Sequence, residues 1–175
     1  MSFANNGGEI YHATFGSDFA ATHFIYDAQV WIDNPSQIAN IEMDMNQVLA
    51  NGDTVIYGVQ CDGWSGTWDY TINIGTRTNP AGHWERSNVP CPNPKTWTAK
   101  TWHHVQISYS RDSVGIVTYE SVVLDGVQSN FAGATANSAY ALGWSSALLT
   151  NFQIDGMGTA GSAVAYLDNL TVSRW

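Results

Sequence analysis

Runs of β-branched and aromatic residues, broken at regular intervals by turn signals, leave this 175-residue chain little room for anything but a β fold. Phe24 to Ile32 stops at Asp33-Asn34-Pro35, and Ala39 to Val48 is followed by the turn signal Asn51-Gly52-Asp53. Thr54 to Gln60 and Trp68 to Ile74 come next, then a segment from Gly75 to Ala99 whose four prolines predict a long loop. Trp102 to Tyr109 reads as a strand, with Arg111-Asp112-Ser113 opening the turn after it. Ile116 to Leu124 is closed by Asp125-Gly126, and Leu148 to Ile154 and Val164 to Val172 complete the set. No window of helix length carries a 3.6-residue apolar period, so almost no helix is expected. Short strands at this spacing predict a single all-β domain over residues 1–175, a jelly-roll β-sandwich of two antiparallel sheets.

Charge narrows the partners. Six Lys and Arg against fifteen Asp and Glu give a net charge of −9, which repels phosphate backbones and anionic membrane surfaces, so neither nucleic acid nor membrane is an expected partner. No apolar run approaches the roughly 20 residues that span a bilayer. The first eight residues lack the basic and apolar regions of a secretion signal. Charged residues make up only 12% while aromatics reach 13%, a balance suited to an extracellular monomer that contacts neutral polar ligands, secreted or at the cell surface. Cys61 and Cys91 are either two free thiols or a disulfide, and the bridge is expected; it would constrain the unfolded chain by roughly 3–4 kcal/mol. Without a CxxC pattern they do not suggest zinc.

Trp102-His103-His104-Val105-Gln106-Ile107-Ser108-Tyr109 and Val122-Val123-Leu124-Asp125-Gly126-Val127 resemble the strand and hairpin of the laminin-G-like branch of the concanavalin A-like lectin and glucanase superfamily. Tyr166-Leu167-Asp168-Asn169-Leu170-Thr171-Val172 is similar to the last strand of such domains. The likeness covers about residues 20 to 175, and its motifs are structural: they imply the concanavalin A-like fold and leave the activity open.

In Asn40-Ile41-Glu42-Met43-Asp44-Met45-Asn46-Gln47, strand alternation sends Ile41, Met43 and Met45 to the core and Asn40, Glu42, Asp44 and Asn46 to the other face. In a jelly roll that is the concave, ligand-bearing face. The row is similar to the E-x-D-x-E signature of the family 16 glucanases, where the first Glu is the nucleophile, the Asp tunes it and the second Glu is the acid/base. Here the third position is Asn46, or Gln47 with a bulge, and neither can donate an acid proton. Along the strand Glu42 has only Asp44 beside it, about 7 Å away, so the acid that retaining hydrolysis needs is missing.

Around this row, Trp64, Trp68 and Tyr70 are candidates for stacking on pyranose rings, with Trp68 and Tyr70 also placed to join Ile72 in the core. Trp84, with His83, Glu85 and Arg86, is a further candidate from the long loop. His104 and Gln106 share a strand face with Ser108 and are expected to line the concave surface. His103 and His104 point to opposite faces and cannot chelate one metal together. A structural calcium is expected at Asn6-Gly7-Gly8-Glu9 and Asp168, which resemble the calcium-binding segments of carbohydrate-binding sandwiches; Glu9 and Asp168 would be its ligands. The sequon Asn169-Leu170-Thr171 falls in a strand and is read as chance.

The leading expectation is a non-catalytic, lectin-like domain that binds a polysaccharide through Glu42, Asp44, Asn46, Trp64, Trp68, Tyr70, Trp84, His104 and Gln106. Two alternatives stay open. One is a glycoside hydrolase or lyase of the same fold with its acid supplied by Asp62, Glu85 or Glu120. The other is a structural or adhesive module without sugar binding.

Overall fold

A computed structural model of the chain describes residues 2–4, 7–158 and 161–175, with the side chains of 2–4 left aside. Its strands are β1 (Ser2–Ala4), β2 (Gly8–Thr14), β3 (His23–Ile32), β4 (Ile38–Val48), β5 (Thr54–Asp62), β6 (Thr67–Asn73), β7 (Gly82–Pro90), β8 (Trp102–Arg111), β9 (Ile116–Leu124), β10 (Val127–Asn137), β11 (Ala139–Tyr140), β12 (Leu148–Gly156) and β13 (Ser162–Arg174). Two short 3-10 turns, Pro35–Gln37 and Pro94–Thr96, are the helical pieces among the described residues.

The strands form two antiparallel sheets packed as a jelly-roll sandwich. One is six-stranded, in the order β1-β13-β3-β8-β9-β10. The other is seven-stranded, in the order β2-β12-β4-β5-β6-β7, with β11 joined to β5. Period-two alternation builds the core between them. Phe24, Tyr26, Ala28, Val30 and Ile32 of β3 are buried, while the residues between them are half-exposed. Across the sandwich Ile41, Met43 and Met45 of β4 and Tyr57, Val59 and Cys61 of β5 are fully buried. Tyr57 stacks on Tyr109 at 5.2 Å between centroids and tilts against Phe24 at 5.2 Å, so aromatic rings tie the two sheets together.

Cys61 and Cys91 form a disulfide with Cα atoms 5.7 Å apart. It fastens β5 to the segment that follows β7 and fits an extracellular protein. Among the described residues no helix is long and apolar enough to cross a membrane.

The segment expected as a loop from Gly75 to Ala99 contains the edge strand β7. Its residues are mostly exposed or half-exposed, and Pro80 and Pro90 bracket it, so it lacks the apolar alternation that marks a two-sided strand. β10 is a strand the turn-and-run pattern does not announce. A register shift between Asn130 and Ala134, with Ala132 at φ 53° and Gly133 at φ 75°, interrupts its alternation.

Candidate functional site

The outer face of the seven-stranded sheet is hollowed, and β4 crosses its centre. Backbone pairing sets Glu42 beside Gln60 of β5 and Gln153 of β12, and Asp44 beside Gly58 and Asn151. Continuing outward, Gln60 pairs with Asp69 of β6, and Asp69 with Arg86 of β7. Two adjoining depressions result. One, of about 390 Å³, is lined by Gln60, Asp62, Asp69 and Arg86 among others. The other, of about 250 Å³, is lined by Glu42, Asp44, Thr71 and Tyr140 among others. Trp84 and His83 border both.

Gly58 is what lets Asp44 lie in this floor. A Cβ at Gly58 would collide with the Thr71 side chain and the Asp44 carboxylate, so only a residue without a side chain leaves the space. Asp44 is buried; it interacts with the Glu42 and Asn151 side chains, while its Oδ1 has no hydrogen-bond partner among the described residues. Burial pushes the Asp44 carboxyl well above the ordinary carboxylate range, and the negative charge of Glu42 pushes it further. Glu42 is raised as well, first by burial; its hydrogen bond with Asp44 pulls the other way, and Asp155 adds repulsion. Both carboxyls are thus shifted toward the protonated form, Asp44 further than Glu42.

These upward shifts have a consequence for stability. Both carboxyls have native pKa values above their unfolded ones, so the native state binds more protons than the unfolded chain, and stability falls as pH rises from the carboxylate range through the native values. Asp44→Asn is therefore expected to flatten the dependence and to gain about 1–3 kcal/mol at about pH 8. Urea denaturation of both proteins at about pH 5 and pH 8 checks this; equal pH dependence in the two would refute it.

The remaining carboxylates are held in place. Asp62 accepts the backbone N–H groups of Trp64 at 2.9 Å and Ser65 at 3.0 Å, capping the β5–β6 turn. Asp69 accepts the Thr67 hydroxyl at 2.5 Å, and burial raises its pKa. Asp155 accepts from Gln153 Nε2 at 3.1 Å.

Of the residues expected at the site, Glu42, Asp44 and Trp84 come together here. Glu42 is less isolated than its own strand implies, because neighbouring strands bring Gln60, Gln153 and the charge of Asp155 to it. Asn46 is 2% exposed and does not line the hollow, so it makes no surface for a ligand. Trp64 stands in the turn that Asp62 caps, 66% exposed, with Lys95 Nζ 4.7 Å from its ring centroid.

Two further expectations are corrected. Trp68 is 1% exposed and Tyr70 tilts against Tyr119 at 4.8 Å; both face the core, because the even positions of β6 from 68 to 72 turn inward. His104 and Gln106 lie on the outer face of the six-stranded sheet, on the opposite side of the sandwich, where both side chains meet Asp27. Strand alternation reveals which residues share a face but not which sheet the strand joins. His103 is structural, its ring between Asp125 Oδ2 at 2.6 Å and the Thr98 carbonyl at 3.1 Å.

Glu9 lies on β2 in one sheet and Asp168 on β13 in the other, where Asp168 accepts the Asn169 N–H at 2.8 Å. Among the described residues no group of three or more His, Cys, Asp or Glu is placed to hold a metal, and Asn6 lies outside the described residues.

Arg86, named in the sequence beside Trp84, does line the hollow, whereas Asp69, Tyr140 and Asp155 were not singled out there. A signal existed for Asp155: in Leu148–Gly156, Thr150, Phe152 and Ile154 alternate with Asn151, Gln153 and Asp155, the same pattern that exposed the β4 row.

No family model matches the chain, and no curated protein matches it in sequence. Solved structures do match in fold. An Aly36B alginate lyase variant in complex with an alginate trisaccharide aligns over 99% of this chain and 80% of its own, with a TM-score of 0.52 and 11% identity. A legume lectin-like domain from Entamoeba histolytica aligns over 99% of this chain and 83% of its own, with a TM-score of 0.52 and 8% identity. At these identities the likeness establishes the jelly-roll fold, which a lyase and a lectin-like domain share.

Proposed function

We propose that the chain is a non-catalytic carbohydrate-binding domain, secreted or at the cell surface, whose hollowed sheet takes a neutral polysaccharide. The observation that carries this reading is the composition of the hollow: hydrogen-bonding side chains on its floor, Trp84 and Tyr140 at its wall, and an excess of carboxyls. Carboxylates and amides bond sugar hydroxyls strongly, and an aromatic face covers the apolar face of a pyranose. Asp44 and Glu42 set two carboxyl groups side by side at one spot of the hollow.

Charge favours binding of a neutral chain over uronate chemistry. Glu42, Asp62, Asp69 and Asp155 outnumber Arg86 on this face, so a polyuronate would meet net repulsion. Hydrolysis is disfavoured because a buried amide, Asn46, occupies the acid's place in the strand.

Native affinity electrophoresis against soluble neutral polysaccharides and alginate tests the reading, with each lane assayed for reducing ends and for unsaturated products. Retardation by a neutral glycan without new products is expected. Trp84→Ala is expected to weaken it about tenfold, equivalent to about 1.4 kcal/mol. Reducing ends abolished by Glu42→Gln would make the protein a hydrolase and unsaturated products from alginate a lyase, while no retardation would leave a structural module.

A further inference from the structure

The outer face of the six-stranded sheet carries a second constellation that the groove does not use. Trp31 of β3 pairs with Tyr166 of β13 on one side and Trp102 of β8 on the other, which sets three aromatic side chains in one row across three strands. Tyr166 is 54% exposed and Trp102 45%. Two strand spacings separate the outer pair, about 10 Å. The Trp31 and Tyr166 rings lie 5.1 Å apart at 43°, so the row is twisted rather than flat.

Ordered polar groups continue the row along the strands. Gln29 pairs with Asp168 and His104 in the next outward-facing row. In the row after that, Asp27 lies opposite Gln106 and accepts from its Nε2 at 2.8 Å, and Asp27 Oδ1 is 3.0 Å from His104 Nε2. One carboxylate therefore orients two side chains, and among the described residues no hydrogen bond takes up His104 Nδ1 or Gln106 Oε1. A hollow of about 340 Å³ beside Tyr166 and Asp168, reached by Tyr11, extends the face to the sandwich edge.

We propose that this face is a second glycan-binding site, taking a single soluble chain of neutral sugars. Aromatic faces with hydrogen-bonding groups alongside suit a pyranose, which presents C–H faces and hydroxyls together. The twist of the row suits a flexible chain and not a crystalline surface. A protein partner would have to desolvate Asp27 and Asp168, whereas protein interfaces are depleted in charge at their centres. Sugar hydroxyls leave both carboxylates hydrogen-bonded.

The test is nuclear magnetic resonance of the full chain, following the tryptophan indole N–H signals, assigned with Trp31→Phe, Trp84→Phe and Trp102→Phe. The probes are hydroxyethylcellulose, laminarin and galactomannan. The Trp31 and Trp102 signals are expected to shift with at least one of them, to keep shifting in Trp84→Ala, and to lose at least fivefold in apparent affinity in Trp102→Ala/Tyr166→Ala. Shifts confined to Trp84, or none with any probe, would overturn the site. So would Trp31 and Trp102 shifts that follow protein concentration with a dimer in sedimentation, since a second copy would then cover the face. A silent Trp84 with shifting Trp31 and Trp102 would refute the groove and leave this site standing.

Discussion

Trp68→Ala is expected to lower the unfolding free energy by about 3–5 kcal/mol, the range for deleting a large buried aromatic side chain. Trp68 is 1% exposed, pairs with Cys61 across β5 and β6, and belongs to the cluster that fills the sandwich. Its own carbonyl accepts the Ser87 hydroxyl, so the edge strand β7 hangs on the same backbone. The half-exposed Trp84 provides the contrast. Its removal is expected to change stability by less than about 1 kcal/mol while weakening glycan retardation. Chemical denaturation and affinity electrophoresis of the two variants separate the roles. A Trp68→Ala protein of undiminished stability that no longer bound glycan would show that the ring serves the ligand and not the core.

Breaking the disulfide is the second large effect. Cys61 and Cys91 close a loop over a sequence separation of 30, for which chain entropy in the unfolded state predicts about 3–4 kcal/mol. In a chain of this size that corresponds to a fall in Tm of about 10 °C. Cys61→Ser/Cys91→Ser, or wild type under reductant, checks it by thermal melting. The loss is expected to start at β7 and the segment after it, because the bridge joins that edge to the central strand β5 and β7 itself is largely exposed. A melt that reductant leaves in place would show that side-chain packing, including the Trp97 indole N–H bonded to the Pro92 carbonyl at 3.0 Å, holds the segment without the bridge. Since Cys61 and Trp68 are direct neighbours, the two losses are not expected to add.

The groove was half-legible. Ile41, Met43 and Met45 announced their burial by alternating with Glu42 and Asp44. Asp69 and Arg86 could not be joined to Glu42, because they sit on other strands and only lateral pairing makes them neighbours. β7 hid for a related reason: an edge strand with both faces partly wet has no apolar half to display. Asn46 misled in the opposite direction. An amide in a polar row looks solvent-facing, yet it is buried in the sheet.

By itself, then, the amino-acid sequence determined the β class, most strand positions, the candidate cysteine pair and which side chains of each strand share a face. These are local properties, set by turn chemistry and a two-residue period that needs no partner to be read. Which sheet a strand joins, and what lies beside it there, was decided by the tertiary structure alone. That decision moved His104 and Gln106 away from Glu42 to the opposite side of the sandwich, beside Asp27 and the Trp31 row. The physical reason is that both sheets bury one face against the same core, so both write the same alternation into their strands. Only the pairing of backbones far apart in the chain distinguishes one outer surface from the other.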